Sequence, residues 1–184
     1  WAAPQSSMQP HSSHFESASI AVHAGRPSGE NAPLNTPITL ASNFAGVEGQ
    51  YTRTHGTDTW SALEHAVAAV SENSEFAVAF SSGMATATAL LFALRPKRLL
   101  LPNVCYLGVR SLVADEEREG HMKVTRLQIT DTQSVLTELQ TEPKPDLLWL
   151  ETPSNPLLET ADLDIIIPAA VQRNIRVVVD CTFA

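Results

Sequence analysis

Apolar positions along the chain fall either at helical spacing or in short continuous runs, and the patterned part begins near Thr59. Just beyond it, Trp60, Leu63, Val67 and Val70 share one face of a helical period. Ser61 with Glu64 has the spacing of a capping box, which predicts an amphipathic helix. Short apolar runs then alternate with helical patterns. The runs fall at residues 76–80, 98–101, 124–127, 147–150 and 177–179, and helical periodicity covers 84–94, 109–119, 131–140 and 163–172. Pro168 interrupts the last pattern and predicts a late start or a kink there. Unbroken runs such as 177–179 suit strands buried on both faces. Strands alternating with helices give parallel βαβ units and an α/β fold. No internal repeat is visible.

The sequence before Thr59 has no such pattern. Residues 1 to about 19 are rich in serine and predict a disordered or loosely attached start. From 20 to 57, Pro27, Pro33 and Pro37 mix with Gly25, Gly29, Gly46, Gly49 and Gly56 without a sustained period. This predicts an extended, irregular arm that needs another surface, such as a second subunit, to lie against. The domain organisation expected is therefore 1–58 as start and arm, and 59–184 as the first part of an α/β domain.

Composition narrows the partners. The 184 residues, 43% hydrophobic, suffice for one buried core, and 12 basic against 20 acidic side chains give a net charge of −8. No Lys/Arg-rich run interrupts that acidity, so neither nucleic acid nor a membrane surface is an expected partner. No apolar run reaches bilayer length. The start lacks the apolar core of a secretory signal and the arginines of a transit peptide, so a cytoplasmic location is expected, although residue 1 is Trp rather than Met. Cys105 and Cys181 form neither a CxxC pair nor a disulfide framework, which fits a reducing compartment. The histidines lack metal-ligand spacing; His11 and His14 read as solvated, and no metal is expected.

In open α/β sheets ligands sit beyond the carboxyl ends of the strands, so the residues after each run carry the chemistry. After 76–80 comes Ser81-Ser82-Gly83-Met84, opening directly into a helix. Small residues at a helix start expose N–H groups to an anion such as a phosphate, or simply cap the helix. Neither GxGxxG nor GxxxxGK[ST] occurs, which disfavours a nucleotide-binding domain, the third reading considered. Tyr106 follows the run at 98–101 and either stacks on a flat ligand or covers the core. Asn155, between Pro153 and Pro156, is an aimed amide or part of a proline-defined turn. Asp180 ends the run at 177–179. A carboxylate there needs a cation or hydrogen bonds, and a pyridinium nitrogen, Mg²⁺ or a capped element would each satisfy it.

Taken in order, these segments resemble the Cys/Met-metabolism family of pyridoxal-phosphate enzymes, the transsulfuration group of cystathionine γ-synthase, γ-lyase and β-lyase and methionine γ-lyase. The resembling stretches are Ala21 to Gly25, Pro33 to Ile38, Tyr51 to Arg53, Gly56 to Thr59, Phe80 to Ala85, Glu151 to Pro156 and Val179 to Ala184. The resemblance implies a fold type I large domain, aspartate-aminotransferase-like, with an incomplete, mainly parallel sheet flanked by helices. It implies that Tyr51 and Arg53 hold the cofactor phosphate of a neighbouring subunit in a homodimer or homotetramer. Ser82, Gly83, Met84 and Thr182 would surround the phosphate in their own subunit. Tyr106 would stack on the ring of pyridoxal 5'-phosphate, Asn155 would bond its oxygen, and Asp180 would pair with its nitrogen; Tyr106 and Asp180 are thereby the catalytic candidates. The activity implied is γ-elimination or γ-replacement at a C–S or C–O bond of an amino-acid substrate, and the stretches 147–156 and 56–60 lean toward the lyases.

Three positions depart from the family pattern. Leu107 stands where Gly is usual after the stacking Tyr and is expected to crowd the cofactor face, while Cys181 for Asn and Asp58 for Pro are expected to be tolerated. The resemblance further implies a Schiff-base lysine in a Ser-x-Thr-Lys segment downstream of Ala184, and two strands between those at 76–80 and 177–179. The chain is thus expected to be part of a longer enzyme, inactive alone, with a split sheet whose apolar edges are unpaired. The alternative is a truncated remnant acting as a binding or interaction module.

Overall fold

Successive side chains of a strand point to opposite faces, so the unbroken apolar runs feed two layers, and the computed structural model carries this through a four-stranded parallel sheet of order β2-β1-β3-β4. The structure describes residues 17–46, 51–71 and 74–184. The strands are β1 (Arg98–Pro102), β2 (Lys123–Leu127), β3 (Leu147–Glu151) and β4 (Arg176–Asp180). Four helices accompany them: α4 (Gly83–Leu94), α5 (Leu107–Arg118), α6 (Thr132–Leu139) and α7 (Leu163–Gln172). These elements lie in a compact unit from Ser81 to Ala184. A second unit, Trp1–Phe80, holds α1 (Ser17–His23), α2 (Thr52–His55) and α3 (Asp58–Val70).

Alternate residues of the central strands feed separate cores. Leu99, Leu101, Leu147 and Trp149 pack with Ala87 and Leu91 of α4 and Val109 and Val113 of α5. Leu100, Leu148 and Leu150 pack with Val135 and Leu139 of α6 and Ile166 and Ala170 of α7. Every residue of β3 is buried, as expected for an interior parallel strand. At the entrance to β3, Asp146 Oδ2 accepts from the backbone N–H groups of Lys97 and Arg98, both at 2.8 Å, which fixes the start of β1 against it.

Four expectations need correction. The run at 177–179 is only half-buried, because β4 has a ladder partner on one side alone among the described residues. Residues 76–80 join no ladder among the described residues, and Phe76, Val78 and Phe80 are exposed. A strand exists only where neighbouring backbone groups pair with it, and the Ala79 N–H donates instead to the Glu64 carboxylate at 2.8 Å. Glu64 is therefore not the far half of a capping box with Ser61. The N-cap of α3 is Thr57, whose side chain accepts from the Trp60 N–H. Lastly, α7 begins at Leu163 and runs on through Pro168, so its start is not delayed.

In the first unit, Gly25 adopts φ +72°, and a Cβ there would fall onto the carbonyl oxygen of Ala62. The absent side chain lets the backbone just past α1 approach α3. Among the described residues no helix is long and apolar enough to cross a membrane. His11, His14, most of the serine-rich start and Gly49 lie outside the described residues.

Candidate active site

The carboxyl ends of β3 and β4, the Tyr106 turn after β1 and the amino end of α4 enclose a cavity of about 300 Å³, a volume at the low end of the roughly 300–1,000 Å³ typical of ligand sites. Ser82, Gly83, Met84, Tyr106, Asn155, Asp180 and Thr182 all line it, together with Val109, Glu151, Pro153 and Phe183. All the site residues expected in the sheet unit thus converge on one hollow. Tyr51 and Arg53 belong to the other unit. There Tyr51 forms an antiparallel bridge with Asn43, and Arg53 is exposed on α2 with no ion-pair partner among the described residues.

At the amino end of α4, Ser82 is extended and its hydroxyl accepts from the Ala85 N–H at 3.1 Å. The Ser82 carbonyl accepts from the Thr86 N–H, also at 3.1 Å. Gly83 and Met84 come first in the helix, so their amides have no carbonyl within it to bond. With the helix dipole these amides favour an anion, and a Cβ built on Gly83 would meet nothing within 4 Å, so the backbone there is open to a ligand.

Tyr106 is the N-cap of α5, and its side chain is half-exposed at the cavity. Its ring rests against Gly108: a Cβ at that position would stand 2.6 Å from Tyr106 Cε1 and 2.7 Å from Met84 Sδ. Glycine at 108 thus lets the ring lie where it does. Leu107 is exposed and does not line the cavity, so the crowding expected of it does not occur. A helix start turns successive side chains in different directions, and this was not readable from the residue order.

Asp180 is half-buried, less enclosed than a carboxylate on an interior strand would be. Its Oδ1 accepts from the Thr182 N–H at 3.0 Å and the Thr182 hydroxyl at 2.6 Å. Its Oδ2 has no donor among the described residues and remains free for a cationic partner. Asn155 likewise has no side-chain partner among the described residues, and its backbone N–H donates to Glu151 Oε1 at 2.6 Å.

Glu151 was missed as a site residue. It is 3% exposed, ends β3 and pairs in register with Asp180. The signal was present in the sequence: a carboxylate closing an apolar run, the same argument that drew attention to Asp180. Beside it Cys105 is buried, and burial first, then the Glu151 carboxylate, push its thiol up to about 12 against a weaker pull from Arg110. Cys105 is therefore a neutral thiol and no nucleophile.

This donor set fits pyridoxal phosphate. An ester anion finds helix amides, a flat ring finds an aromatic face and an unpaired amide, and a protonated ring nitrogen finds a carboxylate oxygen without a donor. Comparisons with known proteins agree. The family model described as "Cys/Met metabolism PLP-dependent enzyme" matches residues 18–184. A cystathionine gamma-synthase of Mycobacterium tuberculosis is 40% identical over 177 residues, 91% of this chain and 45% of that protein. A cystathionine gamma-lyase of Dictyostelium discoideum is 30% identical over 88% of this chain and 43% of its own length. Among solved structures, cystathionine gamma synthase from Xanthomonas oryzae pv. oryzae in complex with cystathionine superposes with a TM-score of 0.79 at 33% identity, covering 90% of this chain and 44% of that one. The chain therefore spans less than half the length of these relatives. It belongs to the Cys/Met-metabolism family of pyridoxal-phosphate-dependent enzymes.

Proposed function

We propose that the whole protein is a pyridoxal-phosphate-dependent transsulfuration enzyme that performs γ-elimination or γ-replacement at a C–S or C–O bond of a sulfur amino acid or its precursor. The observation that carries this reading is the meeting of helix amides, aromatic face, unpaired carboxamide and open carboxylate oxygen in one cavity of a chain from this family. Enzymes named among its relatives along most of the chain support it over a non-catalytic remnant.

In this reading the amides of Gly83 and Met84, with Ser82 and Thr182 close by, bind the phosphate ester. Tyr106 covers one face of the ring, and Asn155 orients it through the ring oxygen. Asp180, aligned by the two bonds from Thr182, keeps a proton on the ring nitrogen. The bound cofactor supplies an electron sink for charge developing at the substrate Cα. Tyr51 and Arg53 reach the phosphate of a neighbouring subunit, which requires a dimer or tetramer. The Mycobacterium tuberculosis synthase is more similar to this chain than the Dictyostelium discoideum lyase, and this favours γ-replacement over the lyase leaning of the sequence motifs.

The test uses the full-length protein. Asp180→Ala is expected to lower kcat/KM by about a thousandfold, near 4 kcal/mol of transition-state stabilisation. Cys181→Asn, which restores the family's usual residue beside it, should stay within about threefold of the parent. Similar activities of the two variants would remove Asp180 from this role. Supplying an activated homoserine ester with and without cysteine separates the reactions, because a thioether product marks replacement and a 2-oxo acid marks elimination.

A further inference from the structure

The Glu151 carboxylate holds a backbone amide on each of its oxygens and so touches both walls of the cavity. Its Oε2 accepts from the Tyr106 backbone N–H at 2.7 Å, and its Oε1 accepts from the Asn155 backbone N–H at 2.6 Å. We propose that Glu151 is a positioning residue for the cofactor site, a buried clamp that holds the turn bearing Tyr106 and the loop bearing Asn155 at one fixed separation. The proposal rests on the pyridoxal-phosphate reading above and assigns a role to a carboxylate that this reading does not use.

Tyr106 and Glu151 are 45 residues apart in sequence, so no local preference of either loop can set the distance between them. Pairing of β1 with β3 brings the strands together, but its register runs through Leu99 and Leu100 only and does not extend to the loops. Glu151 supplies the missing constraint. At 3% exposure its charge would be costly if left alone. No salt bridge to it occurs among the described residues, so two short, charge-assisted bonds from backbone amides stand in place of a cation. The first of these lies at the N-cap of α5, where a carboxylate also meets the positive end of the helix dipole. The arrangement resembles the reciprocal half of a capping box, with the carboxylate supplied from a distant strand rather than from the helix itself.

The neighbouring carboxylate shows the difference in task. Glu151 and Asp180 are register partners at the ends of β3 and β4. Asp180 takes both of its bonds on one oxygen and leaves the other without a donor among the described residues, whereas each Glu151 oxygen holds a backbone amide. Asp180 offers an oxygen to a ligand, and Glu151 acts through the residues whose amides it grips. A ring that must meet the Tyr106 face and the Asn155 carboxamide at once depends on that grip.

Replacement by glutamine isolates the effect, since Gln keeps the shape but offers one carbonyl oxygen to two N–H donors. In the full-length Glu151→Gln protein, affinity of the apoprotein for pyridoxal phosphate, followed by fluorescence titration, should fall on the order of tenfold. At saturation, the visible circular dichroism band of the bound cofactor should lose intensity, a sign of altered ring orientation that a simple loss of stability would not produce. Hydrogen exchange in the apoprotein should speed up in the segments holding the Tyr106 and Asn155 amides. Should Glu151→Gln not fold, Glu151→Asp takes its place. It retains the charge on a stem too short to reach both amides, and the same three changes are expected. Unchanged affinity and dichroism with only a lowered melting temperature would overturn the proposal and leave Glu151 a structural residue. Unchanged exchange at both amides would overturn the clamp itself. Failure of the wild type to take up pyridoxal phosphate would instead defeat the functional reading, while the exchange comparison would still decide whether the clamp exists.

Discussion

In the unit from Ser81 to Ala184, α5 and α6 each bury apolar positions of their stripe: Val109 and Val113 in one, Val135 and Leu139 in the other. In the unit ending at Phe80, α3 carries an equally regular stripe, yet Trp60, Leu63, Val67 and Val70 are all exposed. Neither α1 nor α3 buries a single residue. The two regions show that helical periodicity states which side of a helix is apolar, while only a partner element states whether that side is covered. The same holds for strands. Residues 147–151 are enclosed because β1 and β4 flank them, whereas 76–80, no less apolar in pattern, have no ladder partner among the described residues.

The largest test of this contrast is a pair of leucine truncations in the full-length protein. Leu148→Ala, at a position of 0% exposure, should cost about 3 kcal/mol in chemical denaturation by opening a cavity between β3 and its helices. Leu40→Ala, at 94% exposure, should change stability by less than about 0.5 kcal/mol. An equal loss at Leu40 would break the contrast and place that residue under a neighbouring surface in the assembled protein.

A smaller effect sharpens the picture within the sheet unit. Gly108→Ala puts a methyl group against the Tyr106 ring and Met84 and should weaken pyridoxal phosphate binding by roughly tenfold, about 1.4 kcal/mol, in a fluorescence titration. Leu107→Gly, despite matching the usual family residue, should alter binding by less than about twofold, because Leu107 is exposed and does not line the cavity. The reverse ranking would mean that the ring is held by Leu107 rather than by Gly108.

The smallest effect concerns Cys105. Its thiol is pushed up to about 12 from an ordinary value of 9.0. The unfolded chain therefore loses this proton first as pH rises. The contribution of Cys105 to stability is complete below about pH 9 and is lost progressively toward pH 12. The loss should approach about 1 kcal/mol per pH unit in that window, and a Cys105→Ala variant should show a shallower decline of melting temperature above pH 9. Alkylation of the folded protein near neutral pH should mark Cys181, which is exposed, and spare Cys105. Equal labelling would show that the core beneath Tyr106 opens.

Much of the site was legible in the chain because its residues occupy defined places in the alternation. Asp180 ends one strand and Asn155 follows another, Ser82 to Met84 lie at a helix start, and ligands of such sheets gather at strand ends. The role of Glu151 was not legible, since a strand-ending carboxylate looks the same whether it faces a ligand or grips two backbone amides. Gly108 was hidden for a similar reason. What it accommodates is the aromatic ring two residues earlier and a methionine from another helix, and neither proximity follows from its neighbours in sequence.

Residue order by itself determined the α/β class, the four helices and four strands of the sheet unit to within a residue or two, and the family, because period and turn chemistry are local properties that each segment carries alone. Tertiary structure decided the rest: that 177–179 pairs on one side alone among the described residues, that the stripe of α3 is exposed there, and that one carboxylate of a neighbouring pair grips two backbone amides while the other keeps an oxygen without a donor. Those outcomes depend on which distant groups come within hydrogen-bonding or van der Waals reach, and that is settled only when the strands pair.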